Sequence, residues 1–225
     1  MKILAIADEE CSALWDYYTP GKLAEYDLII SSGDLKAEYL RFLVTMARCP
    51  VLYVHGNHDG SYDRDPPEGC DCIDDRVVVY KGLRILGLGG SRVYSGGKHQ
   101  YSEKQMRSRI RKLKKAIVCA GGVDIVLAHA APRGAGDGED LPHRGFEAFL
   151  ELIRTYHPRY LLHGHVHLRY GTNIQRVTAY ENTAVINCCQ RYTLEAEPAD
   201  RPAKATGIRK VWQKMFIPGF WDMDQ

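Results

Sequence analysis

Residues 51–59 read Val51-Leu52-Tyr53-Val54-His55-Gly56-Asn57-His58-Asp59, an apolar run that passes straight into a glycine and a cluster of metal-capable side chains. A short continuous apolar stretch of this kind, closed by a turn residue, fits a strand buried on both faces. The same event recurs along the chain. Runs at 3–7 and 27–31 lead into Asp8 with Glu10 and into Asp34, the run at 124–129 ends in His129, and the run at 160–163 opens a segment holding His163, His165 and His167. In open α/β sheets ligands bind at the carboxyl ends of strands, so these five loops are expected to converge.

Glycine precedes the polar residue in three of the loops, as Gly33-Asp34, Gly56-Asn57 and Gly164-His165, consistent with tight turns that bring backbone close to an ion. Taken singly, each residue has a plain structural reading: Gly-Asp is common turn chemistry, and a histidine after a strand is commonly a satisfied core residue. The ordered set is what points to a metal site.

Between the apolar runs lie amphipathic segments at 35–48, 102–120 and 144–156. The second opens on Ser102-Glu103-Lys104-Gln105, the form of a capping box, and Met106, Ile110, Leu113 and Ile117 then repeat at helical spacing. Further strands are expected at 76–80, 83–88, 177–180 and 183–188, the last two as a hairpin around Glu181-Asn182. Strands alternating with helices define an α/β protein. Two long loops, 60–75 and 131–142, follow candidate ligands and are expected to be functional.

With 225 residues, 45% of them hydrophobic, the chain is read as one domain over 1–197, followed by a tail at 198–225 that packs on the domain or on a neighbouring copy as a homo-oligomer contact. A net charge of +2 excludes a global pull toward nucleic acid or an anionic membrane. The apolar start meets carboxylates too soon for a signal peptide, and no run approaches the length of about 18 apolar residues that a membrane span needs. The expected location is cytoplasmic. The seven cysteines form an odd set, several of them inside apolar runs, and are read as reduced, structural thiols.

At Asp8-Glu9-Glu10, Gly33-Asp34, Gly56-Asn57-His58-Asp59, His129 and Gly164-His165-Val166-His167 the sequence resembles the calcineurin-like metallophosphoesterase superfamily. That resemblance implies a four-layer α-β-β-α sandwich in which two facing mixed sheets are flanked by helices. It implies a first metal held by Asp8, Glu10, Asp34 and His167, and a second held by Asp34, Asn57, His129 and His165. His58, oriented by Asp59, would bind a phosphate oxygen and aid the leaving group. A hydroxide bridging two divalent ions would then hydrolyse a phosphate ester, with a small molecule or nucleotide as the expected substrate.

The sequence departs from the family at Glu10, where the pattern has histidine. An oxygen donor there makes the first site harder and favours Mn²⁺ or Fe, with Zn²⁺ as the alternative. Three rival readings carry less weight. Cys70 and Arg76 have the spacing of a thiol phosphatase, but Asp71, Asp74 and Asp75 would repel a phosphate dianion. The basic residues of 102–120 suggest a nuclease or nucleic-acid binder, although no aromatics interleave with them. A non-catalytic interaction module on the same fold would gain nothing from so many clustered polar groups. Arg133, His143 and Arg144, around the second long loop, are read as solvated residues, with substrate phosphate binding as the alternative.

Overall fold

Alternation along the first strand already divides the molecule into layers. Ile3 and Ala5 enter one apolar core, and Leu4 and Ile6 enter another, so the strand has no solvent face. The structure, a computed structural model, describes residues 1–168 and 175–198. Its elements in chain order are β1 (Lys2–Ile6), β2 (Leu28–Ser31), α1 (Ala37–Met46), β3 (Val51–Tyr53), β4 (Asp71–Cys72), β5 (Arg76–Tyr80), β6 (Leu83–Leu88), β7 (Ser91–Arg92), β8 (Gln100–Tyr101), α2 (Glu103–Ala120), β9 (Ile125–Ala128), α3 (Glu147–Tyr156), β10 (Tyr160–His163), β11 (Val177–Tyr180), β12 (Thr183–Asn187) and β13 (Tyr192–Glu195).

Most strands form two large mixed sheets, and β7 pairs with β8 apart from them. One has the order β13-β1-β2-β3-β4, parallel except for β13, which pairs antiparallel with β1. The other has the order β11-β12-β10-β9-β6-β5, parallel in its centre with an antiparallel strand at each edge. Ile3, Ile30 and Leu52 of the first sheet meet Ile85, Leu127 and Leu162 of the second in the central core. Tyr39, Leu40 and Leu43 of α1 cover the outer face of the first sheet. Met106, Leu113 and Ile117 of α2, with Phe149 and Leu152 of α3, cover the second. The result is the expected α-β-β-α sandwich.

Local signals hold where they rest on explicit chemistry. Ser102 Oγ accepts the Gln105 amide and Gln105 Oε1 accepts the Ser102 amide, closing the capping box of α2. Gly121 ends that helix at φ 82°. The hairpin joins Tyr180 to Thr183, with Glu181 in the left-handed region. The 60–75 loop is less irregular than its composition suggests, since it contains β4 and a 3₁₀ turn at Asp59–Asp63 lies across its start. The tail expected to pack on the domain or on a neighbouring copy lies, from residue 199 onward, outside the described residues. Among the described residues no helix is long and apolar enough to cross a membrane.

The parallel strands of both sheets end at one rim. There Asp8 N donates to the Gly33 carbonyl at 3.1 Å, and Gly164 N to the His129 carbonyl at 2.9 Å.

Candidate metal centre

Asp8, Asp34 and His165 each follow a strand end, and each has a left-handed backbone, with φ of 65°, 56° and 67°. Such strain in residues other than glycine persists only where the surroundings enforce it, and it collects at functional sites. Close approach enforces it here. A Cβ on Gly56 would lie 2.0 Å from Asp34 Oδ1, and one on Gly164 would lie 2.8 Å from both Asp8 carboxylate oxygens.

Asp34, His129 and His165 place one donor atom each within 4.8 Å of one another. His129 is buried, and its Nδ1 lies 2.8 Å from the Ser32 carbonyl, which can only accept, so Nδ1 carries the proton. Its Nε2 then faces Asn57 Oδ1 at 2.9 Å and Asp34 Oδ2 at 3.3 Å. Asn57 Nδ2 donates to Tyr94 Oη, which fixes the amide with its oxygen toward His129. His165 Nε2 donates to the Pro142 carbonyl at 2.8 Å, leaving Nδ1 as its lone pair.

Two oxygens converging on one imidazole nitrogen call for positive charge. In the protein alone the ring itself supplies it: burial opposes the charged form, but the Asp34 carboxylate raises His129 to about 9. Burial likewise disfavours a charged Asp34, yet His129 and the His58 amide hold its carboxyl below the usual range. His165 is pushed down to about 3 by burial and by His129, so its ring is neutral. Burial and the neighbouring Asp34 charge lift Asp8 and Asp59 to about 6. A divalent cation would supply the same charge to a neutral imidazole, and the donor set fits one.

Asp8 Oδ1 accepts the His165 amide at 2.8 Å, whereas Oδ2 is buried without a donor. His167, beyond His165, lies with Nδ1 3.1 Å from Glu9 Oε1. Glu10, the carboxylate indicated by spacing, instead accepts the Lys36 amide at 3.2 Å. Asp59 Oδ2 accepts the amides of Gly56 at 2.7 Å and Asp34 at 2.9 Å, so it ties the Asp34 and Asn57 turns together. His58 is exposed at the rim, and its amide donates to Asp34 Oδ1 at 2.7 Å.

The remaining candidates divide. His163 is buried beside Gly136, and its Nδ1 donates to the Gly164 carbonyl. The His143 ring is 5.2 Å from that of His165, while Arg133 pairs with Asp137 at 2.7 Å within its own loop. Burial raises the Cys70 thiol to about 12, the opposite of an activated nucleophile. His55, Cys72 and Asp74 form another ligand-like group, yet Asp74 already pairs with His55 at 2.7 Å and accepts the Gly89 amide. Sequence reasoning does not select Glu9, Tyr94 or the Ser32 and Pro142 carbonyls, because no local signal marks them.

Fold and donor set thus define a metal-binding α/β sandwich with its site at the carboxyl rim of both sheets. The Metallophos family, described as calcineurin-like phosphoesterase, matches residues 2–169, and the chain belongs to that family. Membership supports metal-dependent phosphoester hydrolysis in general. Among curated proteins, the chain is 27% identical over 184 residues to a lariat debranching enzyme of Caenorhabditis briggsae, covering 62% of this chain and 34% of that protein. It is 28% identical over 131 residues to a UPF0046 protein of Caenorhabditis elegans, covering 56% of this chain and 31% of the relative. The chain therefore spans about a third of the length of these relatives. One crystal structure matches with TM-score 0.63 at 15% identity, covering 86% of this chain and 94% of the other. The crystal structure of the Thermus thermophilus protein TT1561 matches at 0.55 and 17% identity, covering 84% and 88%. At such identities the likeness is one of fold.

Proposed function

We propose that this chain hydrolyses phosphate esters of small molecules or nucleotides with two divalent cations, one seated by Asp34, Asn57, His129 and His165 and the other around Asp8 and His167. The observation that carries the reading is His129 Nε2 facing Asn57 Oδ1 and Asp34 Oδ2 at 2.9 and 3.3 Å, a buried charge-demanding focus where loops of both sheets meet. When bound, the ions would activate a shared water and offset charge on the phosphate oxygens.

The chain's own groups do the rest. Ser32 holds the His129 tautomer and Pro142 that of His165, so each presents a lone pair toward the site. Asp59 fixes the Asp34 and Asn57 turns against each other. His58, exposed beside them, offers a ring nitrogen to a phosphate oxygen and a proton to the departing oxygen. Of the basic residues of α2, Arg107 is taken up by Glu103, Glu147 and Glu151, and Arg109 by Asp75.

The test is hydrolysis of paired aryl phosphate monoesters and diesters by chelator-stripped protein before and after Mn²⁺, Fe²⁺ or Zn²⁺ is restored. Activity should require the ion, fall steeply in Asp34→Asn and fall in His58→Ala. Full activity of Asp34→Asn, or of the stripped protein, would sink the reading.

A further inference from the structure

A second donor group lies at the same rim but uses residues that the motif spacing does not select. Glu9, His167 and Cys189 place one donor atom each within 4.8 Å of one another. We propose that the first cation is held by Asp8, Glu9, His167 and the thiolate of Cys189, with Glu9 occupying the place that spacing assigns to Glu10. The inference rests on the two-cation reading above and specifies one of its seats.

The backbone explains how these residues meet. Beyond β12 the chain crosses to β1, where Ala7 and Cys189 form a parallel bridge and Gln190 N donates to the Ala7 carbonyl at 2.9 Å. That crossing lays residues 188–190 along residues 6–8. At Asp8 the left-handed backbone turns the chain, and Glu9 N folds back onto the Ala7 carbonyl at 2.7 Å. Strict alternation therefore fails after Asp8. Glu9 meets His167, and Glu10 meets the Lys36 amide.

Both oxygens of Glu9 are held. Oε1 lies 3.1 Å from His167 Nδ1, and Oε2 accepts Gln190 Nε2 at 2.8 Å, the kind of outer contact that orients a ligating carboxylate. The buried Asp8 Oδ2, which has no donor, gains a partner if a cation sits there. Cys189 is buried, and burial raises its thiol to about 11, so a thiolate there needs the bound cation.

Coordination would replace the S–H bond of Cys189 with a metal–sulfur bond and release the proton to solvent. Sulfur also reverses the expectation of a hard seat. Two carboxylates, an imidazole and a thiolate favour Fe²⁺ or Zn²⁺ over Mn²⁺.

The experiment is a Co²⁺ titration of the stripped full chain, read by absorbance. Thiolate-to-cobalt charge transfer in the near ultraviolet reports a bound sulfur, whereas visible d–d bands report cobalt at either seat. The expected result is two bound Co²⁺ with the near-ultraviolet band present, lost in Cys189→Ser and kept in Cys72→Ser. Glu9→Gln should weaken binding of the band-carrying ion at least about tenfold. Two bound ions without the band, or a band lost in Cys72→Ser but kept in Cys189→Ser, would overturn the assignment and leave the two-cation reading standing. Failure to bind any cobalt would overturn both. As a check that needs no change at Cys189, zinc-loaded Cys72→Ser protein should show a sulfur scatterer at about 2.3 Å in X-ray absorption. Nitrogen and oxygen scatterers alone would refute the thiolate.

Discussion

The two halves of the rim are built differently. Asp34, Asn57, His129 and His165 stand within a few residues of strand ends, largely buried and tied to one another or to fixed carbonyls. Glu9 and His167 lie further out, partly exposed, and depend on a segment that arrives from the far end of the sequence. A seat set by parallel strands inherits the precision of the sheets. A seat set by crossing loops depends on contacts between distant parts of the chain, and its donors can change while the fold stays the same.

Several substitutions can break or sharpen that contrast. The largest effect should come from Asp34→Asn, which removes charge from the buried half. Loss of orienting partners alone costs a metal site about 10–100-fold, so losing a proposed ligand should lower kcat/KM by more than about 100-fold. Metal analysis should show the cation facing His129 lost first.

The paired changes Gly56→Ala and Gly164→Ala come next. A Cβ at Gly56 meets the Asp34 side chain and backbone at 2.0–2.6 Å, and overpacking of this kind costs about 1–3 kcal/mol or more. A Cβ at Gly164 meets Ala7 and Asp8 side chains at 2.6–2.8 Å, so metal loss should be greater in the outer half. Thermal unfolding together with metal content separates the two. Equal losses from both variants would erase the distinction between the halves.

The buried half also predicts a pH response. His129, raised to about 9 in the protein alone, is protonated in the folded state well above the ordinary imidazole range. Its contribution to stability is fully present below an unfolded pKa of about 6.5 and fades as pH rises through the folded value. Chelator-treated protein should therefore lose thermal stability between pH 6.5 and 9, and added metal should flatten the loss. His55, raised to about 10 because Asp74 outweighs burial, shifts stability in the same direction, so Asp74→Asn is the control that removes its share. A metal-free melting temperature that does not fall over this window in Asp74→Asn would contradict the buried Asp34–His129 pair.

The smallest effect should be that of Glu10→Gln. Among the described residues its carboxylate accepts one hydrogen bond, from the exposed Lys36 amide, so stability and first-cation affinity should change by no more than about 0.5 kcal/mol. Loss of the cation in this variant would return the outer seat to the residue that spacing selects.

The same contrast governs what can be read from the sequence. β2, β3, β9 and β10 announce themselves because both faces of each are buried, which leaves continuous apolar runs such as Ile125–Ala128. The candidate residues closest to those strand ends follow directly. β13 escapes sequence reading because Tyr192–Glu195 buries only Leu194 and so shows no apolar run. The approach of Glu9 to His167 escapes it because a left-handed residue at Asp8 breaks the alternation from which spacing is counted. Cys189 reads like any buried thiol, since its proximity to His167 comes from a crossing that no local pattern encodes.

The pairing of β1 with β13 has a consequence for assembly. A strand completed at Ile6 finds its antiparallel neighbour only when residues 192–195 have been made, and Glu9 waits equally long for Gln190. During synthesis the inner seat has all its residues once His165 has emerged. The outer seat must wait for the Cys189–Gln190 crossing, so a nascent chain would complete the two proposed cation seats in a fixed temporal order.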